Sequence, residues 1–166
     1  FFIFIILLII GTAIINFVNF MDGLDGFIVS NFIIILIFSS ILSEKYILLM
    51  IGTLFGFLFF NWHPAKVFMG DVGSTFLGAI FFGILANSNS ANDSFLLFLI
   101  AFPLLGDAFI CVLRRFFMGH NIFLPHKLHL YQRLVSSGYT HSQVSSIYIF
   151  FTITFSLLAI YGDLKL

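Results

Sequence analysis

The 166 residues are 61% hydrophobic and 8% charged, with a mean hydropathy of +1.16, whereas soluble domains carry about a quarter of their residues as charges. Twenty-six phenylalanines among long Ile/Leu runs exceed what a soluble core of this size can hold, so the chain is an integral membrane protein. Seven basic and seven acidic side chains cancel, which removes the electrostatic basis for a nucleic-acid partner.

A bilayer span needs about 20 apolar residues. The first run covers residues 1–18 and closes at Asn16-Phe-Val-Asn19-Phe-Met-Asp22-Gly-Leu-Asp25-Gly26. It starts with Phe inside an apolar stretch, without the basic region and cleavage site of a signal peptide, so a chain cut within a helix is expected. The second run, 27–42, stops at Ser43-Glu44-Lys45. The third, 46–61, ends at Asn61-Trp62-His63-Pro64, where Trp suits the interface and Pro the break. The fourth is expected over 74–86, the fifth over 95–113 and the sixth over 143–161. The expected architecture is therefore a single all-α membrane domain, 1–166, with about six transmembrane helices.

Alternation of these helices puts segments 19–26, 62–73 and 114–142 on one side. Lys66, Arg114, Arg115, Lys127 and Arg133 lie on that side, against Lys45 and Lys165 on the other. The excess of basic residues makes it the cytoplasmic face. Nearly every residue suited to chemistry falls there.

Three clusters carry that chemistry. In the first, Asn16, Asn19, Asp22 and Asp25 are spaced by three, which puts them near one face if the helix continues through them. Gly23 and Gly26 beside the aspartates suggest close approach of a ligand. In the second, Pro64-Ala-Lys66-Val-Phe68-Met-Gly-Asp71-Val-Gly-Ser74-Thr75, a carboxylate among glycines precedes a helix that Ser74 or Thr75 can cap. Asn19 can supply a carbonyl oxygen and Asp71 a carboxylate to one hard cation, with substrate phosphates and water completing the shell. In the third, His126-Lys-Leu-His129-Leu-Tyr-Gln-Arg133 follows Arg114-Arg115. Basic neighbours fit phosphate contacts better than a zinc site, although the segment also reads as an amphipathic interfacial helix. Gly138 is expected to end that helix, and Thr140 with Gln143 to form a capping box for the last span, with His141 as a solvated neighbour. His63 and His120 receive no role. Asp107, about two turns or roughly 10 Å from Arg114 inside the fifth run, either bottoms a cavity or neutralises an arginine. Carboxylates, amides and basic groups gathered on one face fit a polyanion held through a metal, as in phosphoryl transfer.

These clusters closely resemble the polyprenyl-phosphate N-acetylhexosamine-1-phosphate transferases, the MraY/WecA superfamily. The matching motifs are Asn16-x-x-Asn19-x-x-Asp22-Gly-x-Asp25-Gly, Phe68-Met-Gly-Asp71-Val-Gly-Ser74, Pro103-x-x-x-Asp107 with Arg114-Arg115, and His126-x-x-His129. The His-x-x-His-x-Tyr-Gln form is most similar to the WbpL-type branch. The resemblance implies transfer of a sugar 1-phosphate from a UDP-N-acetylhexosamine to a polyprenyl phosphate such as undecaprenyl phosphate, with release of UMP, on the cytoplasmic face of a bacterial inner membrane. It implies Mg²⁺, with Mn²⁺ as the substitute, on Asn19 and Asp71. Phe68 would lie against the uracil, Asp25 contact the nucleotide, and His126 and His129 meet the diphosphate. Asp22 would be structural or catalytic. Asn16, Lys66, Asp107, Arg114 and Arg115 complete the expected substrate-binding set. Direct attack is favoured over a covalent aspartyl intermediate, though both fit these residues. The family's earlier Asp-Asp motif does not occur here, so the chain is expected to be the C-terminal part of a larger transferase and not to turn over alone. A homodimer is left open. The competing readings are an ion transporter using Asp107 and an inactive UDP-sugar-binding scaffold.

Overall fold

The computed structural model describes residues 2–42, 47–121 and 127–163. Seven helices occur among them: α1 Phe2–Phe20, α2 Phe27–Leu42, α3 Ile47–Asn61, α4 Gly70–Ala86, α5 Ala91–Phe117, α6 Leu130–Ser136 and α7 His141–Asp163. The protein is an all-helical membrane protein. Helices α1, α5 and α7 are long and apolar enough to cross a membrane, whereas α2, α3 and α4 are apolar but have only 16, 15 and 17 residues. A 16-residue helix rises about 24 Å, just under the roughly 30 Å hydrocarbon core. Many large apolar side chains face outward, including Phe4, Leu49, Phe59 and Phe150, as lipid-facing residues must.

Small residues set the pairings that position the polar end. Helix α1 packs mainly on α4, α5 on α7, and α2 on both α3 and α7. At Gly78 a Cβ would lie 2.8 Å from the Ile15 Cα, so the missing side chain lets α4 approach the backbone of α1. One turn later in α1 and one turn earlier in α4, Asn19 meets Ser74. Between α2 and α7, the buried Thr152 Oγ1 donates to Asn31 Oδ1 at 2.8 Å, while the Asn31 amide donates to Phe27 O. Thr152 and Asn31 thereby find partners away from lipid.

The expected boundaries shift at several places, and α5 runs four residues beyond its expected bounds at each end. Helix α1 stops at Phe20, so Asp22 and Asp25 sit in a turn rather than on a continued helical face. Helix α4 begins at Gly70, with Met69 as its N-cap and no side-chain cap. Ser74 and Thr75 therefore bond back to the carbonyls of Gly70 and Asp71 instead of capping. Helix α6 begins after His129, not at His126, which lies outside the described residues. Gly138, at φ 101°, follows α6 as expected. Thr140 and Gln143 form the expected reciprocal capping pair at the start of α7.

Candidate active site

The segments after α1, after α3 and before α7 converge at one end of the bundle. Asn19 Nδ2 donates to Asp71 Oδ1 at 3.1 Å and to Ser74 Oγ at 2.9 Å. Asp71 lies in the first turn of α4, where the helix dipole favours a carboxylate. A cleft of about 220 Å³ opens beside it, lined by Asp22, Asp25, Asn61, Phe68 and Asp71 among others. Phe68 is 72% exposed, an apolar ring offered at a polar cleft. Buried Asn61 fixes the two walls, accepting from Gly26 N–H at 3.1 Å and donating to Val67 O at 2.8 Å.

The two aspartates of the first turn are held differently. Burial, and then the charge of Asp71, push the Asp22 carboxyl up from 3.8 to about 6. Burial also acts to raise Asp25, but hydrogen bonds from His63 and the Ala65 N–H, with the nearby His141, outweigh it and leave its pKa lowered. His63 Nδ1 lies 2.7 Å from Asp25 Oδ2, and the Ala65 N–H donates to the same oxygen at 3.2 Å.

The glycines do different work from that expected. A Cβ on Gly23 would lie 2.4 Å from the Tyr131 hydroxyl, and one on Gly26 would lie 2.7 Å from the Trp62 ring. Gly26 also has φ 69°, a conformation that favours glycine. Their bare backbones admit Tyr131 and Trp62 rather than a ligand. The Tyr131 hydroxyl donates to Phe20 O at 3.0 Å, closing α6 onto the end of α1.

The remaining expected residues stand outside this cleft. The Asn16 amide donates to Thr12 O, a contact within its own helix. Lys66 is exposed on the α3–α4 connection, and its N–H bonds Phe60 O. His129 is 2% exposed and sits between Phe20 and Tyr131. Asp107 borders an apolar cavity of about 370 Å³ between α5, α6 and α7, which Arg133 also lines. Its oxygens accept from Leu130 N–H at 2.8 Å, Tyr131 N–H at 3.3 Å and the Tyr148 hydroxyl at 2.6 Å. Asp107 thus satisfies the open N-terminus of α6. Arg114 is exposed at the end of α5, while buried Arg115 donates through Nη2 to Asn121 O.

Sequence reasoning missed Asn61, His63, Tyr131 and His141. Asn61, a polar residue closing an apolar helix, carried a signal; the histidines gain meaning only from their meeting at Asp25.

A membrane bundle that collects amide and carboxylate groups at one end, beside an exposed aromatic ring, matches a defined class. Residues 1–89 match the model for glycosyl transferase family 4, and the chain belongs to that family. It is 33% identical over 160 residues to a probable undecaprenyl-phosphate N-acetylglucosaminyl 1-phosphate transferase of Bacillus subtilis, covering 87% of this chain and 44% of that protein. It is 36% identical over 152 residues to a phospho-N-acetylmuramoyl-pentapeptide-transferase of Kosmotoga olearia, covering 89% and 47%. A decaprenyl-phosphate N-acetylglucosaminephosphotransferase of Mycobacterium leprae is 31% identical over 163 residues, covering 80% and 41%. The chain thus spans under half the length of these relatives.

Proposed function

We propose that this chain supplies the metal- and nucleotide-binding end of a phosphoglycosyl transferase. The reaction moves an N-acetylhexosamine 1-phosphate from a UDP-sugar to a polyprenyl phosphate. An oxygen of the lipid phosphate attacks the β-phosphorus of the UDP-sugar. The bond from that phosphorus to the oxygen bridging to the α-phosphorus breaks, and its electron pair leaves with UMP. The product is a polyprenyl-diphospho-sugar.

The observation that carries this reading is the Asn19–Asp71 contact at the mouth of a cleft also lined by Asp22, Asp25 and Phe68. These donors fit Mg²⁺ or Mn²⁺. Asp71 offers a carboxylate, Asn19 offers its carbonyl once the amide is turned, and Asp22 and Asp71 repel one another until a cation intervenes. The ion, when bound, supplies positive charge against the diphosphate. Phe68 stacks on the uracil, and Asp25, held through Oδ2, orients the nucleotide with its other oxygen. Asp22 takes or releases a proton near pH 6 as the local charge changes. Lys66 and Arg114, exposed in segments that helix alternation assigns to the same side, neutralise phosphate charge. The basic bias of these segments makes that face cytoplasmic, in a bacterial inner membrane.

The test is UMP release from UDP-N-acetylglucosamine and undecaprenyl phosphate by membranes containing this chain in place of the matching region of the Bacillus subtilis relative, with and without Mg²⁺. Metal-dependent release that Asp71→Asn abolishes is expected. Release that is indifferent to Mg²⁺ or survives that substitution contradicts the proposal.

A further inference from the structure

His63 and His141 have no part in the chemistry above. One follows α3 and the other opens α7, yet both turn Nδ1 toward the same oxygen. His63 Nδ1 lies 2.7 Å from Asp25 Oδ2 and His141 Nδ1 lies 3.5 Å from it. One ligand atom from each of the three residues lies within 4.8 Å of the others, and the two ring centroids are 5.2 Å apart.

A hydrogen-bonded triad leaves this arrangement incomplete. The carboxylate oxygen already accepts from the Ala65 N–H and pairs with His63. The Nδ1 of His141 is buried and makes no hydrogen bond, although it lies 3.5 Å from the same carboxylate. Buried polar atoms without partners are uncommon and call for an explanation. A cation among the three atoms provides one, because it accepts a lone pair from each neutral imidazole and from the carboxylate.

We propose that Asp25, His63 and His141 form a transition-metal site of the zinc class, separate from the Asn19–Asp71 pair. Two imidazoles and one carboxylate are a zinc donor set with a fourth position left for water or a ligand, whereas Mg²⁺ prefers oxygen donors throughout. The ion ties the turn after α1, the α3–α4 connection and the start of α7 together at the edge of the cleft. This inference rests on three side chains, of which only Asp25 also enters the proposed reaction, through its other carboxylate oxygen.

The experiment uses the 166-residue chain without a histidine tag, stripped with chelator in detergent, in buffer containing millimolar Mg²⁺. Zn²⁺ binding is read by calorimetry, and Co²⁺ binding by visible absorption. One Zn²⁺ per chain at micromolar concentration or below is expected, together with Co²⁺ bands of low-coordinate, nitrogen-containing geometry. His63→Ala and His141→Ala should each weaken binding by about tenfold or more, as even loss of an outer-shell partner does. His120→Ala, at an exposed histidine elsewhere, should leave it unchanged. Circular dichroism of the metal-free variants separates loss of a ligand from loss of fold. For a variant that does not fold, the wild-type Co²⁺ spectrum decides. The proposal is overturned by absence of Zn²⁺ binding at micromolar concentration, by displacement of Zn²⁺ by Mg²⁺, by a six-coordinate all-oxygen Co²⁺ spectrum, or by equal affinity in the folded His63→Ala and His141→Ala variants.

Discussion

Asp22 is where charge and burial compete most openly. Its carboxyl is raised to about 6, so between the ordinary value of 3.8 and about 6 the folded chain holds a proton that the unfolded chain has lost. The folded state binds more protons in that window, so this group lowers stability as pH rises through it. A cation on neighbouring Asp71 favours the ionised form and expels the proton. Mg²⁺ should therefore bind about tenfold more tightly at pH 7 than at pH 5, each pH unit below the raised value costing up to one decade. Calorimetry in buffers of different ionisation heat checks this: proton release at pH 5 is expected, and Asp22→Asn should remove both the release and the pH dependence. At this scale the sequence was partly legible. Asn19, Asp22, Asp25 and Asp71 stood out because polar groups at the ends of apolar runs are costly unless used. Gly23 and Gly26 were misread, since a glycine beside an aspartate looks the same whether it admits a ligand or, as here, a tyrosine and a tryptophan ring. His63 and His141 were silent because each is unremarkable until α3 and α7 bring them to one oxygen.

Helix α6 shows how an element too short to be stable alone is held in place. Its seven residues fall well below the length at which isolated helices persist, so docking decides its existence. Asp107 takes up two of its N-terminal N–H groups, and Tyr131 bonds across to α1. Asp107→Ala removes both acceptors and the partner of the Tyr148 hydroxyl. The Tyr131 N–H and the Tyr148 hydroxyl are left unsatisfied in part-buried positions at about 1–3 kcal/mol each, so local destabilisation of about 2–6 kcal/mol is expected. Hydrogen exchange should show faster exchange over residues 130–136 with little change in α1–α4. Unchanged protection there would contradict the anchoring role. The sequence left Asp107 between a cavity and an arginine partner. Its main partners, the backbone N–H groups of α6, depend on where that helix packs, which spacing along the chain does not encode. The apolar helices themselves were legible because lipid imposes continuous hydrophobic runs. Their ends were less so: α1 stops at Phe20 before its polar motif is complete, and α4 begins four residues before the expected start at 74.

For the whole molecule, the arrangement follows from three segments far apart in sequence meeting at one end of the bundle. Close α1–α4 packing through Gly78 brings Asn19 to Asp71, Asn61 holds the cleft walls, and α6 and α7 close the remaining side. Alternation of the helices already placed these segments together, because each crossing of a membrane reverses the chain. The reaction proposed for the family member rests on this end acting as one metal-dependent nucleotide site. The most direct measurement is UDP-N-acetylglucosamine binding to the chain in lipid nanodiscs, with and without Mg²⁺, for wild type and Asp71→Asn. Binding that requires Mg²⁺ and falls at least about tenfold in Asp71→Asn is expected, as loss of a charge-assisted contact costs about 1.5–3 kcal/mol. Binding of equal strength without Mg²⁺, or in the folded Asp71→Asn variant, would contradict a site built on Asn19 and Asp71.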